Sequence, residues 1–200
     1  MADERGLESA SAEPAGADLV RRAQAGDAEG FEALVELHER RVLRTALRLL
    51  GRLDLAEDAA QETFMRLHRS IQRIHPARDL APWLYRVVVN VSRDVGRRSG
   101  AGRFVPLDSL AEGERPEMRV SADEVTRPLE AEAERRLVRA ALATLPEKER
   151  AAVVLRDIEG LSTREVAQIL GSSEGTVRSQ ISTARVKIRR FVEAQGEGRR

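Results

Sequence analysis

Apolar residues recur along this chain at mixed three- and four-residue spacing, the period of amphipathic helices. Leu19, Val20 and Ala23 predict a short first helix that starts at Asp18 and ends near Gly26. Phe31, Leu34, Val35, Leu37, Val42, Leu43, Ala46, Leu47 and Leu50 predict a long second one, with Asp27 as N-cap and Gly51 as the stop. Asp54-Leu-Ala-Glu57 reads as a capping box, in which Asp54 takes a backbone N–H and Glu57 reaches back. The helix it opens carries Ala60, Phe64, Leu67 and Ile71 inward. After a loop at 74–78, Asp79 is placed to cap a fourth helix, with Pro82 in its first turn where no N–H partner is needed. Trp83, Leu84, Val87, Val88 and Val91 carry that helix towards Gly96. Together these four predict one compact bundle.

From Ser99 to Arg127 the period disappears. Gly100, Gly102, Pro106, Gly113, Pro116 and Pro128 punctuate an acidic stretch that reads as a linker. Helical spacing resumes with Leu137, Ala140, Ala141 and Leu142, then with Ala151, Val153, Val154, Leu155 and Ile158 after Leu145-Pro146. Ser162-Thr-Arg-Glu165 is a second capping box, opening a short helix of Val166, Ala167, Ile169 and Leu170. Gly171-Ser172-Ser173 makes a turn. A last helix follows with Val177, Ile181, Ala184, Ile188 and Val192 inward. The expected fold class is all-α, with two small helical domains joined by an acidic flexible linker. The expected boundaries are a disordered leader at 1–16, a first module at 17–99, the linker at 100–128, a second module at 129–193 and a tail at 194–200.

Composition narrows the function classes. Charged residues make up 34% of the 200 positions and aromatics 3%, which suits helices better than sheets. Cysteine is absent, so disulfides, Cys-based zinc sites and thiol catalysis are excluded. His38, His68 and His75 show no metal-ligand spacing. No apolar run approaches the roughly 20 residues of a membrane span, and no signal-peptide core is present, so the expectation is a soluble, cytoplasmic chain with no membrane insertion.

The net charge of +1 conceals a division. Residues 86–103 carry a local charge of +4, residues 108–134 one of −6, and residues 178–200 one of +5. Two basic modules therefore flank an acidic connector. Basic stripes on helices are the electrostatic footprint of phosphate-backbone binding, although Arg-rich solvated faces look the same in isolation.

Residues 162–190 have the anatomy of a helix-turn-helix: a short capped helix with Ala167 at the crossing, a Gly-containing turn, and a helix with a polar outer face. That face presents Thr176, Ser179, Gln180 and Thr183, flanked by Arg178, Arg185 and Lys187. Short hydroxyl and amide side chains touch base edges, while flanking cations reach phosphates. A helical hairpin in a protein–protein module is the plainer alternative.

LPEKERAAVVLRDIEGLSTREVAQILGSSEGTVRSQISTARVKIRR (145–190) resembles region 4 of the extracytoplasmic-function (ECF) sigma factors of bacterial RNA polymerase, within the sigma-70 family. DLAEDAAQETFMRLHRSI (54–71) is similar to their region 2.2, and APWLYRVVVNVSRDVGRR (81–98) to regions 2.3–2.4. Region 4 alone is also similar to the DNA-binding domain of LuxR-type regulators, but these do not carry the 54–98 segment. The resemblance implies docking of region 2.2 on the β′ clamp helices of polymerase core, here through Asp58, Gln61, Glu62 and Arg66. It implies opening of the −10 element by regions 2.3–2.4, with Arg73, His75, Arg78, Arg86, Asn90, Arg93, Arg97 and Arg98 as the candidate strand-holding residues. Extruding a base costs a few kcal/mol, which pocket contacts and a basic path must offset. For the −35 element the candidates are Ser173, Thr176, Arg178, Ser179, Gln180, Thr183, Arg185 and Lys187. The implied partners are polymerase core (the β flap with region 4), promoter DNA and an anti-sigma factor, with no cofactor and no metal.

Two departures stand out. Family members often place Arg at the positions of Gln180 and Thr183, and many have a Gly/Ser-rich loop where this chain reads IHPARDLAPW, so the base preferences of the family do not carry over. Trp83, beside Leu84 and Val87, reads as a core residue; Tyr85 reads equally as core or as a stacking platform. The competing readings are a stand-alone helix-turn-helix regulator with a sensing or dimerising bundle, and an enzyme using His38, His68 or the acids Glu57, Asp58 and Glu62. No Glu-x-x-His pair supports the latter.

Overall fold

A computed structural model describes residues 9–99 and 129–197, and all of the regular structure in them is helical. The first module holds α1 (Ser9–Gln24), α2 (Ala28–Leu50), α3 (Leu53–Ser70), a 3₁₀ turn (Ile71–Arg73) and α4 (Ala81–Arg98). The second holds α5 (Leu129–Ala143), α6 (Glu147–Val153), a π turn (Val154–Ile158), α7 (Thr163–Leu170) and α8 (Glu174–Glu197). The expected linker at 100–128 lies outside the described residues, as do 1–8 and 198–200.

Local chemistry sets most of the boundaries. Asp27 caps α2 by accepting from Gly30 N at 3.1 Å. That backbone donor, with Arg22 beside it, holds the Asp27 carboxyl below the usual carboxylate range. Gly51 ends the helix at φ 72°, a left-handed conformation that costs glycine little. Gly30 serves a different need: a Cβ there would lie 2.6 Å from Arg22 Cβ, so glycine lets α1 and α2 meet. The box at Ser162 forms in both directions, with Ser162 Oγ accepting from Glu165 N and Glu165 Oε2 accepting from Ser162 N.

Four expectations are corrected. α1 begins at Ser9, so residues 9–16 are helical and not a disordered leader; Ala10, Ala12 and Ala15 are strong helix formers. The box at Asp54 does not form. Buried Leu53 is already the first residue of α3, Arg52 takes the cap position without a side-chain bond, and Asp54 pairs with Arg52 inside the first turn. There the acid still complements the helix dipole. At the other end, α8 runs on to Glu197, into the expected tail, and Val192 is 39% exposed because α8 there has outrun its packing partners. Finally, Gln180 is not a fully outward residue: it is half-buried, and its Oε1 is buried with no hydrogen-bond partner among the described residues.

Two cores result. One lies within the first module and gathers Leu34, Ala46, Leu67, Leu84, Val88 and Val91, with Trp83 packed at its margin as a core residue. The other is centred on the second module around Leu142, Leu155, Val166 and Val177, yet it also contains Leu49, Ala81, Tyr85 and Val89 from the first. The modules share a core, and α7 lies against α4.

Candidate nucleic-acid and polymerase interfaces

The side chains expected to meet polymerase sit on α3. Asp58 and Gln61 are exposed, while Glu62 and Arg66 are half-buried and pair with each other at 2.8 Å. This i,i+4 pair holds the Glu62 carboxyl below its ordinary range, chiefly through the Arg66 hydrogen bond. Beside them, α2 and α3 bound an open groove of about 530 Å³ lined by Phe31, Val35, Leu43, Gln61, Phe64 and Met65. Polar Asp58 and Gln61 thus stand next to an apolar trough in which Met65 is 44% exposed.

The expected strand-holding residues fall into two groups. Arg73, His75 and Arg78 are exposed on the segment between α3 and α4, where His75 Nδ1 accepts from Ala77 N at 3.2 Å. Arg86, Asn90, Arg93 and Arg97 stand on α4 at steps of four, three and four residues, which is one stripe along one face. Arg98 is exposed beside it. Asp79 Oδ1 accepts from Ala81 N at 2.9 Å and so fixes where α4 begins and where the stripe points. Part of the stripe is engaged: Arg93 Nε donates to Glu147 at 2.5 Å and Arg86 Nη2 to the Gln168 carbonyl at 3.4 Å, both in the second module. Arg97 pairs with Asp94 on its own helix.

On the second module, α7, the turn and α8 form a helix-turn-helix. Ser173 is not a free reader. Its Oγ accepts from Thr176 N at 3.1 Å and shares a hydrogen bond with Thr176 Oγ1, capping α8. Arg178, Ser179 and Thr183 are exposed on the outer face, Arg178 lying 3.7 Å from Glu174. Arg185 makes a two-pronged bond to Asp157, at 2.8 and 2.6 Å, which raises its guanidinium pKa further. Lys187 reaches both oxygens of Glu149 at 2.8 Å. All three flanking cations therefore face acids of their own module, Arg178 the most loosely.

The residues that join the modules escaped the sequence reading. Glu159 accepts from Thr45, Arg48 and Tyr85, and Arg150 donates to the Leu49 carbonyl at 2.8 Å as well as to Leu142 and Leu145 carbonyls. Burial lowers the Arg150 pKa, and those carbonyls stand in for the lost water. One signal was available. α4 carries Leu84, Tyr85, Val87, Val88, Val89 and Val91, an apolar arc too wide for one packing partner.

Comparison with known proteins completes the picture. The family model for sigma-70 region 2 matches residues 34–101, and that for sigma-70 region 4 matches 135–188. An ECF RNA polymerase sigma factor, SigE of Mycolicibacterium smegmatis, is 41% identical over 172 residues, covering 81% of this chain and 61% of its own length. The ECF RNA polymerase sigma-E factor of Haemophilus influenzae is 34% identical over 181 residues, covering 88% of this chain and 94% of that protein. The solved structure of CnrH in complex with the cytosolic domain of CnrY superposes with a TM-score of 0.64 at 25% identity, covering 90% of this chain and 98% of CnrH. With both sigma regions matched in order and a relative aligned over nearly its whole length, the chain belongs to the ECF sigma factors of the sigma-70 family.

Proposed function

We propose that this chain gives RNA polymerase core its promoter specificity, the first module docking on the clamp helices and holding the opened −10 strand while the second reads the −35 element and meets the β flap. The observation that carries this reading is the coexistence, in one chain, of the α4 stripe Arg86–Asn90–Arg93–Arg97 and a capped helix-turn-helix with a polar outer face. The first offers cations at phosphate spacing beside an amide that bonds base edges; the second offers short polar groups for a major groove. Asp58, Gln61, Glu62 and Arg66 form the polymerase-binding face, and the apolar groove between α2 and α3 gives it a non-polar anchor. Catalysis remains with the polymerase, so the chain is a cytoplasmic initiation factor and not an enzyme.

The α8 surface supplies fewer phosphate contacts than its sequence suggests, because Arg185 and Lys187 are paired internally. Thr176, Arg178, Ser179 and Thr183 then carry the −35 contacts. The similar structure of CnrH is a complex with the cytosolic domain of CnrY, and an anti-sigma partner for this chain belongs to this reading. A stand-alone helix-turn-helix regulator does not account for the region 2 match at 34–101.

Transcription with purified polymerase core, this protein and a randomised promoter library tests the proposal. Transcripts starting downstream of a common two-part motif are expected. An absence of transcripts combined with tight duplex binding by the protein alone would sink it in favour of the stand-alone regulator.

A further inference from the structure

The end of α1 and the segment before α4 hold each other through two amide side chains. Gln24, the last residue of α1, directs its Nε2 at two carbonyls, Ile71 O at 2.9 Å and Ile74 O at 2.7 Å. Two carbonyls facing one nitrogen fix which end of the Gln24 amide points at the turn. Gln72 answers from the 3₁₀ turn, its Nε2 donating to Gln24 O at 2.8 Å. That oxygen is one of the carbonyls a helix leaves without a partner at its C-terminus. No spacing in the sequence announces this clasp, because its partners lie 47 to 50 positions apart.

Both sides of the clasp are anchored. Val20 and Ala23 of α1 are buried in the first core, and Arg22 pairs with Asp27, the N-cap of α2, at 2.7 Å. Across from Gln24, Ile71 is buried in the same core and Ile74 packs at its margin. The two carbonyls that Gln24 holds bracket Gln72 and Arg73. Beyond them a turn closes with Arg78 N donating to His75 O at 3.1 Å, and buried Leu80 ends the segment. Asp79 sets the start of α4. The segment that shows Arg73, His75 and Arg78 to solvent is therefore fixed at both ends, and α1 supplies the grip at the first.

We propose that Gln24 is a positioning residue for base selection at the −10 element: its amide, with that of Gln72, holds residues 71–80 in one conformation, so that an extruded base meets fixed walls. The proposal rests on the reading of this segment and α4 as the part that holds the −10 strand. Surfaces that re-pack accept many shapes, so discrimination between bases needs the segment held still. Gln24 acts through the backbone of Ile71 and Ile74 and not by contact with DNA.

Two measurements on the full chain test this. Gln24→Met keeps the length and helix preference of the side chain and removes both donors. Gln72→Ala, at an exposed position, removes the reciprocal bond and is the second variant. Amide hydrogen exchange is the first readout. Exchange within 71–80 should quicken in both variants while α2 keeps its protection, and an unchanged segment in both overturns the clasp whatever the promoter reading. The second readout is transcription with polymerase core from a promoter recovered from the library, and from versions with one −10 or one −35 base changed. The ratio of cognate to −10-substituted transcripts should fall about threefold or more in Gln24→Met, the worth of one net hydrogen bond, and in the same direction in Gln72→Ala. The −35 ratio should hold. A mere loss of folded protein would lower all transcripts together and move neither ratio. Faster exchange with an unmoved −10 ratio, or with both ratios falling alike, overturns the positioning role and leaves the promoter reading intact. No transcripts from the unsubstituted chain would remove that reading, and the proposal with it.

Discussion

The hydroxyl of Tyr85 on α4 donates to Glu159 Oε2 at 2.8 Å, tying together two residues 74 positions apart in the chain. Burial, and then the neighbouring Glu159 charge, push the phenol pKa well above its ordinary value of 10.0. Tyr85 is also the only tyrosine in the sequence, so ultraviolet titration of phenolate reads this one contact. The phenol is expected to ionise above the normal range in the full chain and to move back towards it in Glu159→Gln. The sign for stability follows. With the folded pKa raised, the contribution is complete below pH 10 and declines as pH rises beyond that value. Ionisation at the ordinary value in the unsubstituted protein would count against a buried Tyr85.

His38 gives the opposite dependence. It is 8% exposed within α2, and burial, reinforced by the Arg41 charge, lowers its pKa from 6.5. Its contribution to stability is therefore complete above pH 6.5 and is lost as pH falls, because the unfolded chain takes up the proton more readily. Denaturant unfolding of the protein and of His38→Gln at neutral and mildly acidic pH should show a gap in stability that changes with pH. Parallel curves would contradict this account.

Ser162 and Glu165 predict a stability change confined to the second module. Ser162→Ala removes the acceptor for Glu165 N, and a lost N-cap costs about 1 kcal/mol. The midpoint of thermal unfolding should fall accordingly. The Glu165 carboxyl, now held low chiefly by the Ser162 hydroxyl, should titrate closer to its usual range. An unchanged midpoint would mean that α7 is fixed by packing alone.

Asp157 holds Arg185 in a two-pronged bond on the flank of α8. Asp157→Asn should release that guanidinium for a phosphate. For polymerase-bound protein on a promoter recovered from the library, the slope of log affinity against log salt should steepen by about 1. Arg185→Ala in the unsubstituted background should move it much less. Equal slopes in all three proteins would show that Arg185 faces no phosphate.

What the sequence reveals here follows the range of the interactions. Asp27, Gly51, Ser162 and Glu165 act on backbone three or four residues away, and their roles are readable from spacing. Asp54 misleads because burial of Leu53, a packing effect, decides where α3 starts. Arg185 and Lys187 look like free cations, since their partners Asp157 and Glu149 lie 28 and 38 residues away. Glu159 reads as a polar residue in a turn, and nothing near it in sequence points to Thr45, Arg48 or Tyr85. Thr45 does leave a trace as a hydroxyl in the apolar stripe of Val42, Ala46 and Leu49. The Tyr85 question resolves towards burial, with the second module as the partner that sequence alone does not supply.

The π turn at Val154–Ile158 makes the angular position of Glu159 a matter of residue count. Its backbone N–H bonds to Val154 O, five residues back, where an α-helix would use the residue four back. Wound as an α-helix with no residue lost, the same stretch would swing whatever follows by roughly 100° about the helix axis. Glu159 would then point away from α2 and α4 with Thr45, Arg48 and Tyr85 intact. The width of this turn, as much as any of those side chains, thus joins the two modules.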